Sequence, residues 1–466
     1  MNRWRASLEL IIVASGILLL SLTPYPHAFA AVMRQAKAHR SDRQYSAVLA
    51  DYQRASHLDP ESPLPWLRRG EVLLTQHRFS QATDAFHEAA RRGAGLPALL
   101  NLGESYAGRG DWTAAMETWL RARALAPYDA RPYVALGRGS IAQRRFEQAA
   151  RLLTWALELQ PAAGEATTAH TLLGRLQIAD DPAQAADHFR QANDADMLTL
   201  LDTVYAEPDL ARRALLLGAA FLQRDELPLA RRYLERAVAR DPAHAEAHAY
   251  LGHVLDRMGA TVAARSALEQ AIDLDPESAL AHYFLGLHHR QVGSPERAQD
   301  ALWEALLRDP ENAAMRVAMA ETFVDLGDYP HAEEWYRGAV DVASEGQRVA
   351  FQLLLVHFYL DHLYQVQERG MSAAEAAVAL APDDARTHDL LGWAGYLTGR
   401  LAEAEQALIQ SLSLDPDLVS AHYHLGALYV TTSQQDLARQ RLQRAVDLDT
   451  TGYYRARAEQ LLDELD

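Results

Sequence analysis

The 466-residue chain has no cysteine and a single lysine, Lys37. The first absence excludes disulfides, a thiolate nucleophile and a cysteine-ligated metal. The second excludes a phosphate-binding GxxxxGK loop, which needs a lysine elsewhere in the chain. Basic residues are outnumbered: 45 Lys and Arg stand against 62 Asp and Glu, for a formal net charge of −17. That balance argues against nucleic acid, whose phosphates require a basic face. Only one long apolar run occurs, Leu10 to Leu22, and its 13 residues are short for a membrane span. Neither an HExxH zinc motif nor an EF-hand loop is present.

What fills the chain instead is a period. Gly218, Gly252 and Gly286 recur at 34 residues, as do Ala230, Ala264 and Ala298, then Ala237, Ala271 and Ala305, and finally Pro242, Pro276 and Pro310. Three copies run without a gap from Ala211 to Asn312. Numbered from Ala211, Ala245 and Ala279, each copy has Gly at 8, Ala at 20, Leu at 24, Ala at 27 and Pro at 32. Tyr250, Leu251, Val254, Leu255 and Met258 form one helical stripe, and Ala264, Leu268, Ala271, Ile272 and Leu274 form a second. Two helices joined by a short turn approach closely only at small residues, which Gly at 8 and Ala at 20 and 27 supply. Proline at 32 cannot continue a helix and restricts the residue before it, so it ends the second helix. One hairpin cannot bury both of its faces, but a stack can. Chain length, which would ordinarily suggest about three domains, loses that meaning in a protein that grows by adding units.

These residues resemble the tetratricopeptide repeat, with a large residue at 4, Leu-Gly at 7 and 8, an aromatic at 11, and the Ala, Leu and Pro positions above. The resemblance implies an all-α, right-handed superhelical solenoid of about twelve hairpins. It also implies that the first helices line a concave groove through positions 2, 5, 6, 9, 12 and 13.

Taken in order, residues 1–31 stand outside the solenoid. Arg3 and Arg5, the apolar run, Pro24 and Pro26, and the small-x-small triplet Ala28-Phe29-Ala30 point to a signal peptide, or to an N-terminal membrane anchor if it is uncleaved. Residues 32–192 hold repeats, the first degenerate. Residues 193–210 break the period and read as an inserted helix or linker. Repeats resume over 211–344, an atypical aromatic-rich unit follows over 345–384, regular repeats return over 385–450, and 451–466 is a capping helix. Four of the first helices carry a histidine at position 4 (His248, His282, His388, His422), and so does His170. That recurrence argues for packing, although His244 and His248 have the spacing of metal ligands on one helix face.

On the implied groove positions, the candidate partner-binding residues are Tyr250, His253, Arg257, Tyr283, Phe284, Arg290, Trp393, Tyr396 and Tyr423, aromatics and arginines being favoured interface anchors. The lysine and asparagine clamp that one tetratricopeptide subgroup uses for a C-terminal carboxylate is missing, since Lys37 precedes the clear repeats. An apolar or aromatic peptide suits this face better. The expectation is a non-catalytic scaffold with no cofactor and no metal. It would bind a protein or peptide at a bacterial cell envelope, with no nucleic acid, and with membrane contact only through an uncleaved leader. The alternatives are a ligand or metal sensor, or an enzyme accessory subunit, built on the histidine-rich hairpins, or a self-associating structural protein.

Overall fold

A computed structural model describes residues 25–465, so Leu10–Leu22 lies outside it. Among the described residues there are 26 α-helices, no strands, and no helix long and apolar enough to cross a membrane. They divide into two compact units, one holding the residues up to Pro127 together with those from Arg439 on, the other Tyr128–Ala438. The first unit contains α1 (Tyr25–Ser41), α2 (Tyr45–Leu58), α3 (Leu64–Thr75), α4 (Phe79–Arg91), α5 (Gly95–Gly108) and α6 (Trp112–Leu125). The second begins with α7 (Ala130–Ala142), α8 (Phe146–Glu158), α9 (Ala163–Gln177), α10 (Pro182–Ala192) and α11 (Ala195–Tyr205). It continues with α12 (Leu210–Gln223), α13 (Leu227–Arg240), α14 (Ala245–Arg257), α15 (Thr261–Leu274), α16 (Ala279–Gln291) and α17 (Pro295–Arg308). Next come α18 (Ala313–Asp325), α19 (Tyr329–Val342), α20 (Glu345–Asp361), α21 (Met371–Leu380), α22 (Ala385–Leu397), α23 (Leu401–Leu414) and α24 (Val419–Thr431). The chain ends with α25 (Gln435–Leu448) and α26 (Tyr453–Asp463).

The periodic residues explain why these helices pair. A Cβ placed on Gly252 would lie 2.6 Å from Leu268 Cγ and 3.1 Å from the Ala264 carbonyl oxygen, so only glycine lets α14 and α15 touch there. The same contact recurs at Gly218 with Leu234 and at Gly286 with Leu302. Ala264, Leu268 and Ala271 are fully buried, as are Ala298, Leu302 and Ala305. Each turn then needs a left-handed residue at position 15. Glycine fills it at Gly259, Gly293, Gly327 and Gly399, with φ from 71° to 77°. Asp225 and Arg144 adopt it without that freedom, at φ 59° and 62°.

Position 4 has a second task. His248, His282, His388 and His422 each donate Nε2–H to the carbonyl of the proline six residues earlier, at 3.0, 3.0, 2.8 and 2.9 Å. Arg316 does the same to Pro310, with Nη2 at 2.8 Å. The side chain that opens one hairpin therefore ties down the end of the previous one. His170 differs: its Nδ1 meets His188 Nδ1 at 2.8 Å, and burial lowers the pKa of both rings.

Two irregular stretches depart from the period. The aperiodic residues 193–210 carry α11, which buries Met197, Leu201 and Val204. In the atypical unit the aromatic run stops being helical after Asp361. Gln365 turns left-handed at φ 46°, and a π-helical turn, Val366–Gly370, leads into α21.

In the first unit, Ala36 of α1 packs with Val48 and Tyr52 of α2 and Val72 of α3. Ala28-Phe29-Ala30 lies within α1. Within the same unit α25 meets residues of α2 and of the turns beside it. Asp447 accepts from Ser46 N–H at 2.8 Å and Ser46 O–H at 2.6 Å, and Gln76 Nε2 donates to the Asp447 carbonyl at 3.2 Å. Arg444 donates to the carbonyl of Arg43 at 3.1 Å.

Candidate functional site

The first helices of successive hairpins α14, α16 and α18 lie side by side, which brings several sequence-predicted residues onto one face. Phe284 is the centre of the larger group. His253 stacks on it with centroids 4.3 Å apart and planes at 6°, Tyr250 meets it edge-on at 5.6 Å, and Tyr283 is tilted against it at 5.6 Å. Phe284 itself is buried, so it serves as the floor, with Tyr250 and Tyr283 half-buried above it. Burial raises the phenol pKa of Tyr250 and of Tyr283. Burial also lowers the His253 pKa to about 4, helped by the nearby Arg257 charge and opposed by Asp256, so this ring is neutral near pH 7.

The arginines of this face are already engaged. Arg257 Nη2 donates to Asp225 Oδ1 at 2.7 Å. Arg290 Nε donates to Asp325 at 2.8 Å, and Arg290 also pairs with Glu321. Burial works against the Arg290 charge, but Asp325 and Glu321 outweigh it and hold the guanidinium protonated. The face therefore presents aromatic surface flanked by two arginines that three carboxylates of the chain already engage.

The remaining candidates form a second group on α22 and α24. Trp393 stacks on Tyr396 at 4.8 Å and on His424 at 4.2 Å, and Tyr423 is tilted 6.3 Å from Trp393. The Tyr396 hydroxyl is hydrogen-bonded to Thr431 Oγ1 at 3.0 Å. The two groups sit on separate hairpins.

Two features escaped the sequence reading. Buried His–Asp pairs join neighbouring first helices: His288 Nδ1 donates to Asp256 at 2.9 Å and His424 Nδ1 to Asp389 at 2.8 Å. The available signal was a carboxylate and a histidine on faces that otherwise bury. The other feature is a cavity of about 360 Å³ beside the π turn, lined by Glu333, Arg337, Gln352, Tyr359 and Arg369. Glu333 is 2% exposed, accepts from the Tyr359 hydroxyl at 2.7 Å and pairs with Arg369. Among the described residues, no three His, Asp or Glu side chains gather as metal ligands.

Family models described as tetratricopeptide repeat match residues 67–130 and 285–347, 221–287, and 385–418. The chain contains tetratricopeptide repeats. No curated protein matches its sequence. Solved structures with similar folds include yeast Tom70, at 14% identity and TM-score 0.42, covering 95% of this chain and 96% of that one. The APC/C hetero-tetramer Cut9–Hcn1 is similar at 15% identity and TM-score 0.36, covering 97% and 98%. A tetratricopeptide repeat protein from Parabacteroides merdae is similar at 14% identity and TM-score 0.40, covering 55% and 98%.

Proposed function

We propose that the protein is a non-catalytic interaction scaffold whose first-helix face, the groove of the tetratricopeptide family, binds an uncharged segment of a partner protein that carries apolar or aromatic side chains. The observation that carries this reading is the group around Phe284. Tyr250 and Tyr283 offer ring surface to solvent, His253 is neutral, and Arg257 and Arg290 are matched by Asp225, Glu321 and Asp325. A face of this kind gains little from a charged ligand and most from ring contacts, which dominate interface hot spots. The apolar run Leu10–Leu22 and the triplet at Ala28–Ala30 support placement at a bacterial cell envelope, with the N-terminal segment acting as a signal or an anchor.

The test is crosslinking and pull-down from envelope fractions with the intact chain and with a Tyr283→Ala/Trp393→Ala double variant, after circular dichroism has shown equal folding. Loss of one enriched partner in the variant, with capture insensitive to salt, supports the reading. Equal capture by both proteins, or capture that salt abolishes, removes the aromatic face from consideration.

A further inference from the structure

Helix α13 carries Arg231, Arg232 and Arg236 to an unusual place. Tyr233, fully buried, donates its hydroxyl to the Arg175 carbonyl at the end of α9, at 2.6 Å. This anchor sets α13 across the turn after α9, where Asp180 lies, and beside the turn after α7, where Arg144 lies. Asp180 then faces two guanidiniums, Arg236 Nη2 at 2.5 Å and Arg232 Nη2 at 3.7 Å. Glu235, the residue before Arg236 on α13, also faces two, Arg144 Nη2 at 2.8 Å and Arg231 Nε at 2.7 Å. Four arginines thus share two close carboxylates, with Glu147 adding a weaker attraction to Arg232. In a chain of net charge −17 this is a local surplus of positive charge.

The hydrogen bonds are also incomplete. Arg232 Nη1, Arg236 Nη1 and Arg144 Nε are buried, and no acceptor among the described residues reaches them. Arg232 lies over the Phe146 ring, 4.6 Å from its centroid, which orients the guanidinium but accepts little charge. Burial lowers the Arg232 pKa, and the Arg236 charge adds to that effect. Buried charged donors without acceptors are costly, and native proteins rarely keep them without a reason. Arg144 meets the group from a left-handed turn position, φ 62°, that glycine fills in other hairpins.

We propose that this junction binds a tetrahedral oxyanion of the phosphate class, held between Arg232 and Arg236, with Asp180 as the internal group it displaces. The planar guanidinium fork matches two oxygens of such an anion at once, and two adjacent forks can hold it from both sides. Asp180 has half of its side chain exposed, whereas the Arg232 and Arg236 side chains are mostly covered. The carboxylate is therefore the movable member. When it swings out, the unmatched Nη1 edges have an acceptor to turn toward.

The full chain is titrated with inorganic phosphate and, separately, with O-phosphoserine, against chloride at matched ionic strength. Binding is read by calorimetry. Arg236→Gln is expected to weaken binding by about tenfold or more, the scale of one lost charge-assisted hydrogen bond. Asp180→Asn is expected to tighten it by a similar factor, because it removes the competing carboxylate. That gain separates a binding role from a structural one, since losing a purely structural ion pair could only weaken the fold, and it keeps the proposal testable if Arg236→Gln misfolds. Equal binding of both ligands supports the site and assigns the oxyanion itself as ligand. Tighter binding of O-phosphoserine supports it and assigns a phosphomonoester. The absence of phosphate-specific heat in the intact chain, unchanged affinity in Arg236→Gln, or weaker binding by Asp180→Asn would each overturn it.

Discussion

Ser46 and Asp447 stand 401 residues apart in sequence, yet the Asp447 carboxylate accepts both the Ser46 backbone N–H and its hydroxyl. Gln443 also donates to Ser46 Oγ, at 2.8 Å, so the contact is a small polar network between α2 and α25. Burial raises the Asp447 pKa, opposed by the Ser46 donors and by Arg444 and Gln443. A carboxyl group raised in the fold costs stability when ionised. That cost is absent below the unfolded pKa of about 3.9 and complete once the pH exceeds the folded value.

Asp447→Asn should therefore be tolerated, since an amide oxygen still accepts from Ser46 and carries no charge to desolvate. Asp447→Ala should destabilise the first unit by about 1–3 kcal/mol, the cost of leaving buried donors unmatched. Hydrogen exchange across residues 42–58 is the direct readout. If those amides exchange at the parent rate in Asp447→Ala, the network contributes nothing to holding α1 and α2.

Glycine at position 8 gives a second test, local to one hairpin. Gly252→Ala places its Cβ 2.6 Å from Leu268 Cγ and 3.1 Å from a backbone oxygen that cannot step aside. We expect about 1–3 kcal/mol of destabilisation from overpacking. Leu268→Ala alone should cost about 2–5 kcal/mol through its cavity. The double variant should cost less than the sum, because the new methyl enters the space the leucine leaves. Gly346, in the first turn of α20, is the control: a Cβ there meets nothing within 4 Å, so Gly346→Ala should be neutral or slightly stabilising. Additive costs at Gly252 and Leu268, measured by urea denaturation, would remove the close-approach explanation.

Periodicity made the hairpins legible because each local contact repeats: Gly218, Gly252 and Gly286 meet Leu234, Leu268 and Leu302 in the same way. The position-4 histidines were legible as a pattern but not as hydrogen bonds, because the carbonyl they reach belongs to the preceding hairpin's proline. The left-handed turn position was equally periodic, from Gly259 to Gly293 to Gly327, yet Asp225 and Arg144 occupy it without any residue signature. On the candidate face, the aromatic residues could be named from their register. The pairing of Arg290 with Glu321 and Asp325 could not, since it depends on how one first helix crosses the next. The Arg232–Arg236 junction lies downstream of the aperiodic stretch 193–210, where register no longer says which turn meets which helix. Ser46 and Asp447 lie 401 residues apart in sequence, a separation for which no local pattern exists.

His253 ties the candidate face to pH. Its ring stacks on Phe284 at 4.3 Å, and burial lowers its pKa from the ordinary 6.5 to about 4. The folded protein thus resists protonating this ring while the unfolded chain does not. As pH falls below 6.5 the unfolded state takes up the proton first, so stability contributed by neutral His253 is full above 6.5, declines toward pH 4 and then levels off. The depression corresponds to roughly 3 kcal/mol at its limit. His253→Phe keeps an aromatic plane over Phe284 and removes the proton site. Near pH 7 the variant should fold about as well as the parent, and from pH 6 to 4 it should lose less stability than the parent does. Ring stacking rather than charge would then be what His253 supplies, consistent with a partner that carries apolar side chains. Parallel pH curves for the two proteins, from urea midpoints across that range, would mean that the His253 ring is open to water and that the face around Phe284 is looser than its geometry shows.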